Sequence, residues 1–240
     1  MGKKAVSREA YRTHCHVSMD EPGSAGELAD CLSGHLRERV TDEDIILVCI
    51  GTDRSTGDSL GPLTGSKLLE KKLENFYIYG TLQYPVHAVN LEETLSIIEA
   101  EHPHAFIIAV DACLGYLQNV GKVTLNEGGV TPGAAMKKKL PVVGDMHING
   151  IVNVSGMMEY FVLQNTRLYT IDTMASLIAE SFLLADQSIS KQHVFQEEEV
   201  TTPPVTFHND DDHARFLREA SSAEQTDNKH KKSHHRYRRK

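Results

Sequence analysis

The chain has 240 residues, of which 40% are hydrophobic, and a formal net charge of −8. That length holds one domain of ordinary size plus tails, and an acidic body excludes a domain that grips nucleic acid through its own charge. No apolar run approaches the ~20 residues of a membrane-spanning helix, and the basic start MGKKAVSREAYRTHCH is followed by no apolar segment of the kind a secretory signal requires.

In chain order, residues 1–23 read as a flexible leader. His14-Cys15-His16 within it offers metal-binding atoms, but no second ligand group lies nearby in sequence. Ser24 and Glu27 then match a capping box ahead of Leu28, Cys31 and Leu32, which predicts a helix to about residue 37. The run IILVCIG, residues 45–51, is continuously apolar between charge and glycine, as a fully buried parallel strand is. It opens into the loop TDRSTGDSLGP and a helix over about 60–73. A second strand is predicted at 77–81, and a helix at 91–101 with Asn90 as its N-cap. AFIIAV, 105–110, reads as another buried strand ending at Asp111, and 120–125 as a more exposed one. A Gly- and Pro-rich loop comes next at 127–133. Residues 142–150 are read as a connection into a helix over 151–163, and the last core helix covers about 171–185.

Strands alternating with helices of this length imply a three-layer αβα sandwich around a mostly parallel sheet. The domain is thus expected over 24–187. Residues 188–240 carry few apolar side chains, EEE and DDD clusters, and the basic end KHKKSHHRYRRK; they read as a disordered tail with a nascent helix near 214–220. Cys15, Cys31, Cys49 and Cys113 form no CxxC pair, so they are expected as free thiols in a reducing, cytoplasmic compartment.

In open α/β sheets, ligands bind beyond the carboxyl ends of the strands. Asp58 and Asp111 both come after buried strands and are the leading site candidates. Each also has a structural reading, Asp58 as an N-cap and Asp111 as an Asx-turn residue. Asp53 and Arg54, in the loop before Asp58, are supporting candidates. His147, in GDMHING, falls in a third strand-to-helix connection that would face the same crevice, with Asp145 as a competitor there. The glycine loop is neither G-x-x-x-x-G-K-[ST] nor G-x-G-x-x-G, which argues against a nucleotide.

CIGTDRSTGDSLGPLTGSKL, VDACLG and VGDMHINGIVN resemble the YyaC-type putative spore protease family of spore-forming bacteria. The first two elements also resemble, more distantly, the germination protease that degrades small acid-soluble spore proteins, and the layout resembles the hydrogenase-maturation endopeptidases. The match spans roughly residues 40–187. The germination-protease resemblance implies a carboxylate pair, Asp58 with Asp111, cleaving intracellular spore proteins. The maturation-protease resemblance implies that Asp58, Asp111 and His147 contact a metal, for which their chemistry suits zinc or nickel. Together the two resemblances imply a sporulation-associated peptidase in the cytoplasm of the sporulating cell or spore, metal-assisted or not. It takes a protein or peptide substrate and no membrane or core-domain nucleic-acid partner; self-association into a homo-oligomer is compatible with it. The alternative is a non-catalytic sporulation protein that binds a metal or a protein on the same fold.

Overall fold

The computed structural model describes residues 13–37, 39–40, 43–132 and 140–199. Two compact units divide the chain, Met1–Phe195 and Gln196–Lys240; the fold below is that of the first. The basic end and the nascent helix expected near 214–220 lie outside the described residues.

The strands are β1 (Thr13–Ser18), β2 (Ile45–Cys49), β3 (Phe76–Tyr79), β4 (Phe106–Gly115), β5 (Lys122–Glu127) and β6 (Met146–Val154), and the helices α1 (Ser24–Leu36), α2 (Leu60–Lys71), α3 (Leu91–Glu101), α4 (Glu159–Gln164) and α5 (Leu168–Glu199). They build one six-stranded sheet in the order β1-β5-β6-β4-β2-β3. Only β5 runs against the others, since it pairs antiparallel with both β1 and β6 while β2, β3, β4 and β6 are parallel. The expected mostly parallel three-layer architecture is therefore present.

Strand alternation sorts the core into two layers. Ile45, Leu47, Ile108, Val110 and Ile148 pack with Leu28 and Leu32 of α1, Leu60 and Leu68 of α2, and Ile178 and Phe182 of α5. On the other face Ile46, Val48 and Ala109 pack with Leu91 and Ile98 of α3. The stretch Leu168–Ser190 has the length and mean hydropathy, 1.3, of a membrane-spanning helix, but half of that window is buried in the fold. Its Ile171, Met174, Ile178 and Phe182 are core residues, which accounts for the apolar composition.

Three expectations need correction. Part of the supposed leader is β1, an edge strand on β5. Its Cys15 and Val17 turn into the core and His16 stays exposed, so the alternation that makes it a strand also sends Cys15 and His16 to opposite faces and breaks up a local metal chelate. The segment 146–154 is a strand throughout rather than a loop leading into a helix. Met146, Ile148 and Val152 enter the core at a period of two, which a helical reading of Ile151 onward misses. Gly150 interrupts that apolar series because a Cβ there would stand 2.3 Å from Leu60 Cδ2. Finally, α5 runs past residue 188 to Glu199. Near its end the buried Asp186 accepts the backbone amides of Glu74 and Asn75 at 2.8 and 3.1 Å, tying the start of β3 to this helix.

Candidate active site

The chain leaves β2 by α2, on one face, to reach the edge strand β3, and returns by α3, on the other face, to β4 on the far side of β2. Between β2 and β4 the strand order thus reverses, and such a reversal opens a crevice at the carboxyl edge. Both leading carboxylates come to this place.

Asp58 lies in a 3-10 turn, Gly57–Ser59, that joins the loop after β2 to α2. The turn is held close to the strand end: the Asp58 carbonyl accepts the Thr52 amide at 3.1 Å, and the Asp58 amide donates to the Ser55 carbonyl at 3.1 Å. Gly51 makes this possible. Its φ is +146°, and a Cβ on it would sit 2.0 Å from the Asp58 carbonyl oxygen. Asp58 is the N-cap of neither element, since Thr56 takes that position for the 3-10 turn and Ser59 for α2, so that structural reading of the residue falls away.

Asp111 is in β4 rather than just beyond it, because β4 continues to Gly115. Its pairing with β2 stops at Val110, and from Asp111 onward β4 pairs with β6 alone. Asp111 is therefore the first residue of β4 freed from β2, at the level where the loop carrying Asp58 turns away. It is 7% exposed, and its Oδ1 accepts the Ala112 amide at 2.9 Å.

The electrostatics join the two acids. Burial pushes the Asp111 carboxyl up to about 8, with the charge of Asp58 the next cause and the Ala112 amide opposing. Asp58 is also raised by burial, but the Thr52 amide and His87 pull it back. A buried carboxyl beside a second one keeps its proton when one charge is stabilised and the other is not. At neutral pH Asp111 is thus the protonated member. Its influence reaches Cys113, whose thiol is pushed up to about 12 by burial and then by Asp111.

His87 was not legible as a site residue. It comes directly after Val86, whose carbonyl accepts the Gly51 amide at 2.8 Å, so the connection after β3 is pinned to the end of β2. Asn90 is the N-cap residue of α3 as expected, but its side chain makes no capping bond; it accepts the His87 amide at 2.8 Å and donates to the Pro85 carbonyl at 3.0 Å, fixing the loop. His87 Nδ1 accepts the Val89 amide at 3.3 Å.

The other candidates separate from the pair. Asp53 and Arg54 are exposed on the loop, with the Arg54 amide donating to Thr52 Oγ1 at 3.3 Å. His147 is the second residue of β6, in register with Ala109 and two residues short of the level of Asp111. Its Nδ1 donates to the Gly128 carbonyl at 2.7 Å, and burial lowers its pKa against that bond. The strand that replaces the expected helix after residue 150 moves the carboxyl end of β6 away from His147. Asp145 lies outside the crevice as well, its Oδ2 accepting the Ile107 amide at 2.9 Å. It lines a cavity of about 400 Å³ with His35, Arg39, His104 and Phe106 by the first residues of β4 and β6. Among the described residues no three His, Cys, Asp or Glu side chains are gathered as a group able to hold a metal ion. Asp58, Asp111 and His147 do not fit the metal that the maturation-protease resemblance implies.

Comparison with known proteins agrees with the motifs. Residues 16–181 match a family described as "Protein of unknown function (DUF1256)". The chain is 50% identical over 181 residues to "Uncharacterized protein YyaC" of Bacillus subtilis (strain 168), a span covering 75% of this chain and 88% of that protein. Among solved structures it is similar to a NiFe hydrogenase maturation protease, HycI, from Thermococcus kodakarensis KOD1, at 18% identity and a TM-score of 0.40, covering 62% of this chain and 98% of the other.

Proposed function

The chain belongs to the DUF1256 family, and we propose that it is a peptidase in which Asp58 is the general base and Asp111 the general acid. The observation that carries this reading is the coupling of two carboxyls at the sheet's switch point, one of them raised to about 8 partly by the other's charge.

Burial raises the Asp58 carboxyl while the Thr52 amide and His87 favour its charged form; as the base of the pair, Asp58 takes a proton from a water molecule. The resulting hydroxide adds to a peptide carbonyl. Asp111 gives its proton to the departing nitrogen, and the C–N bond breaks. The proton gained by Asp58 then returns to Asp111, and the pair is reset. Such paired proton transfers each contribute about 10²–10⁴ in rate.

A polypeptide substrate is supported by the surface beside Asp58. Helix α4 packs on the Asp58 turn: a Cβ at Gly57 would meet Leu163 Cδ2 at 2.8 Å. Next to that contact Met157, Met158, Tyr160 and Phe161 are all exposed, an apolar area of the kind that receives extended chains. The germination-protease resemblance of the two aspartate motifs directs the proposal to intracellular spore proteins. Four free cysteines suit the reducing interior that this requires.

The test is cleavage of a protein extract from sporulating cells, read by electrophoresis and mass spectrometry. Wild type is expected to cut discrete proteins, with Asp58→Asn and Asp111→Asn each at least about 100-fold slower. Undiminished cleavage by both folded variants would refute the assignment.

A further inference from the structure

Two residues beyond His147 on β6, Asn149 stands in register with Asp111 on β4 and with Thr124 on β5. Registered neighbours point to the same face of a sheet. The three side chains therefore form one row beside the crevice. Asn149 Oδ1 is buried and has no hydrogen-bond partner among the described residues. An unmatched buried acceptor costs about 1–3 kcal/mol, so its retention calls for a donor that appears in some state of the protein.

The neighbours narrow the choice. Thr124 Oγ1 accepts the Asn126 Nδ2 amide at 3.0 Å, and its own O–H does not reach Asn149 Oδ1. Asp111 Oδ1 is engaged by the Ala112 amide at 2.9 Å, which leaves Oδ2 as the oxygen that carries a proton. We propose that Asn149 is a positioning residue for the acid of this site, its Oδ1 accepting the hydrogen bond of the Asp111 carboxyl O–H. The inference rests on the acid–base reading above and deepens it. An acceptor that bonds only the neutral carboxyl favours that form, so Asn149 selects which of the two acids is loaded. It also keeps that proton from passing to Asp58 between turnovers. The other titratable groups around Asp111 are Asp58 from the 3-10 turn and Cys113 on β4. His147 on β6 lies one same-face step away, and His87 acts on Asp58.

The test tracks the Asp111 carboxyl carbon by NMR in the full chain labelled at aspartate, the signal being identified by its loss in Asp111→Asn. Wild type is compared with Asn149→Leu, which keeps the shape and drops the acceptor, and with Asn149→Ala in case the first fails to fold. The expected result is a midpoint about one pH unit lower in the variants, with the basic limb of extract cleavage moving down alongside it. A wild-type midpoint that is raised and stays in place in both folded variants overturns this inference alone. A wild-type Asp111 that titrates as an ordinary carboxyl overturns the acid–base reading and this inference with it.

Discussion

Asp111→Asn is expected to slow hydrolysis at least about 100-fold and at the same time to stabilise the protein at pH 8. The sign comes from linkage. The folded carboxyl is raised from 3.8 to about 8. Below the ordinary value it is neutral in both folded and unfolded chains, and its burial then costs no charge. As pH rises from there to about 8, the unfolded chain loses the proton while the folded one keeps it, so stability falls throughout that window and levels off above it. Asparagine never ionises, and its side-chain oxygen can still accept the Ala112 amide. A rise of that size in the folded carboxyl corresponds to a gain on the order of 5 kcal/mol for the variant at pH 8, or about 10 °C or more in melting temperature. Thermal melts of both proteins at pH 4 and pH 8 check this. The difference is expected to be small at the lower pH and large at the higher one. Curves that stay parallel across the range would mean that Asp111 is not held protonated by the fold. A gain in stability that accompanies a loss of activity is the pattern expected of a strained functional group.

Gly61→Ala is expected to have the second large effect, and in the opposite direction to helix propensity. Alanine in a helix is worth about 1 kcal/mol over glycine. At Gly61 of α2, however, a Cβ would stand 2.1 Å from the Ile50 carbonyl oxygen and 2.7 Å from its backbone nitrogen. Ile50 directly follows β2 and its amide is held by the Val110 carbonyl at 2.8 Å, so its backbone cannot yield and α2 must shift away from β2. Overpacking of this kind costs about 1–3 kcal/mol, and more where nothing can move. The shift would also carry Asp58, three residues earlier, out of its place. A melting temperature lower by at least about 5 °C is expected, together with slower cleavage. Gly34→Ala in α1 is the control, since nothing lies within 4 Å of its Cβ. That variant is expected to hold or raise the melting temperature. Equal behaviour of the two would show that the packing of α2 on β2 is looser than described.

Much of this arrangement was legible from local pattern. The runs at Ile45–Cys49 and 105–110 announce buried parallel strands because both of their faces are covered, although the second strand continues to Gly115. The carboxyl-edge rule then brings Asp58 and Asp111 together without any knowledge of distances. The failures come from period and from register. Met146–Val154 carries Asn149-Gly150 in its middle, which reads as a turn, yet the dipeptide is central strand because Gly150 lies under Leu60 and Met174. Misreading that strand placed His147 at the crevice and hid Asn149, which only the pairing of β4 with β6 aligns with Asp111. His87 escaped because its role depends on the bridge between Ile50 and Val86, a contact across 36 residues that no local pattern encodes.

The dependence of Asp111 on Asp58 is tested most directly by the carboxyl titration of Asp111 in wild type and in Asp58→Asn. Asp111 is expected to hold its proton to about pH 8 in wild type and to release it at distinctly lower pH once the neighbouring charge is gone. An Asp111 midpoint that is the same in both proteins would contradict a coupled pair, and with it the division of labour between acid and base.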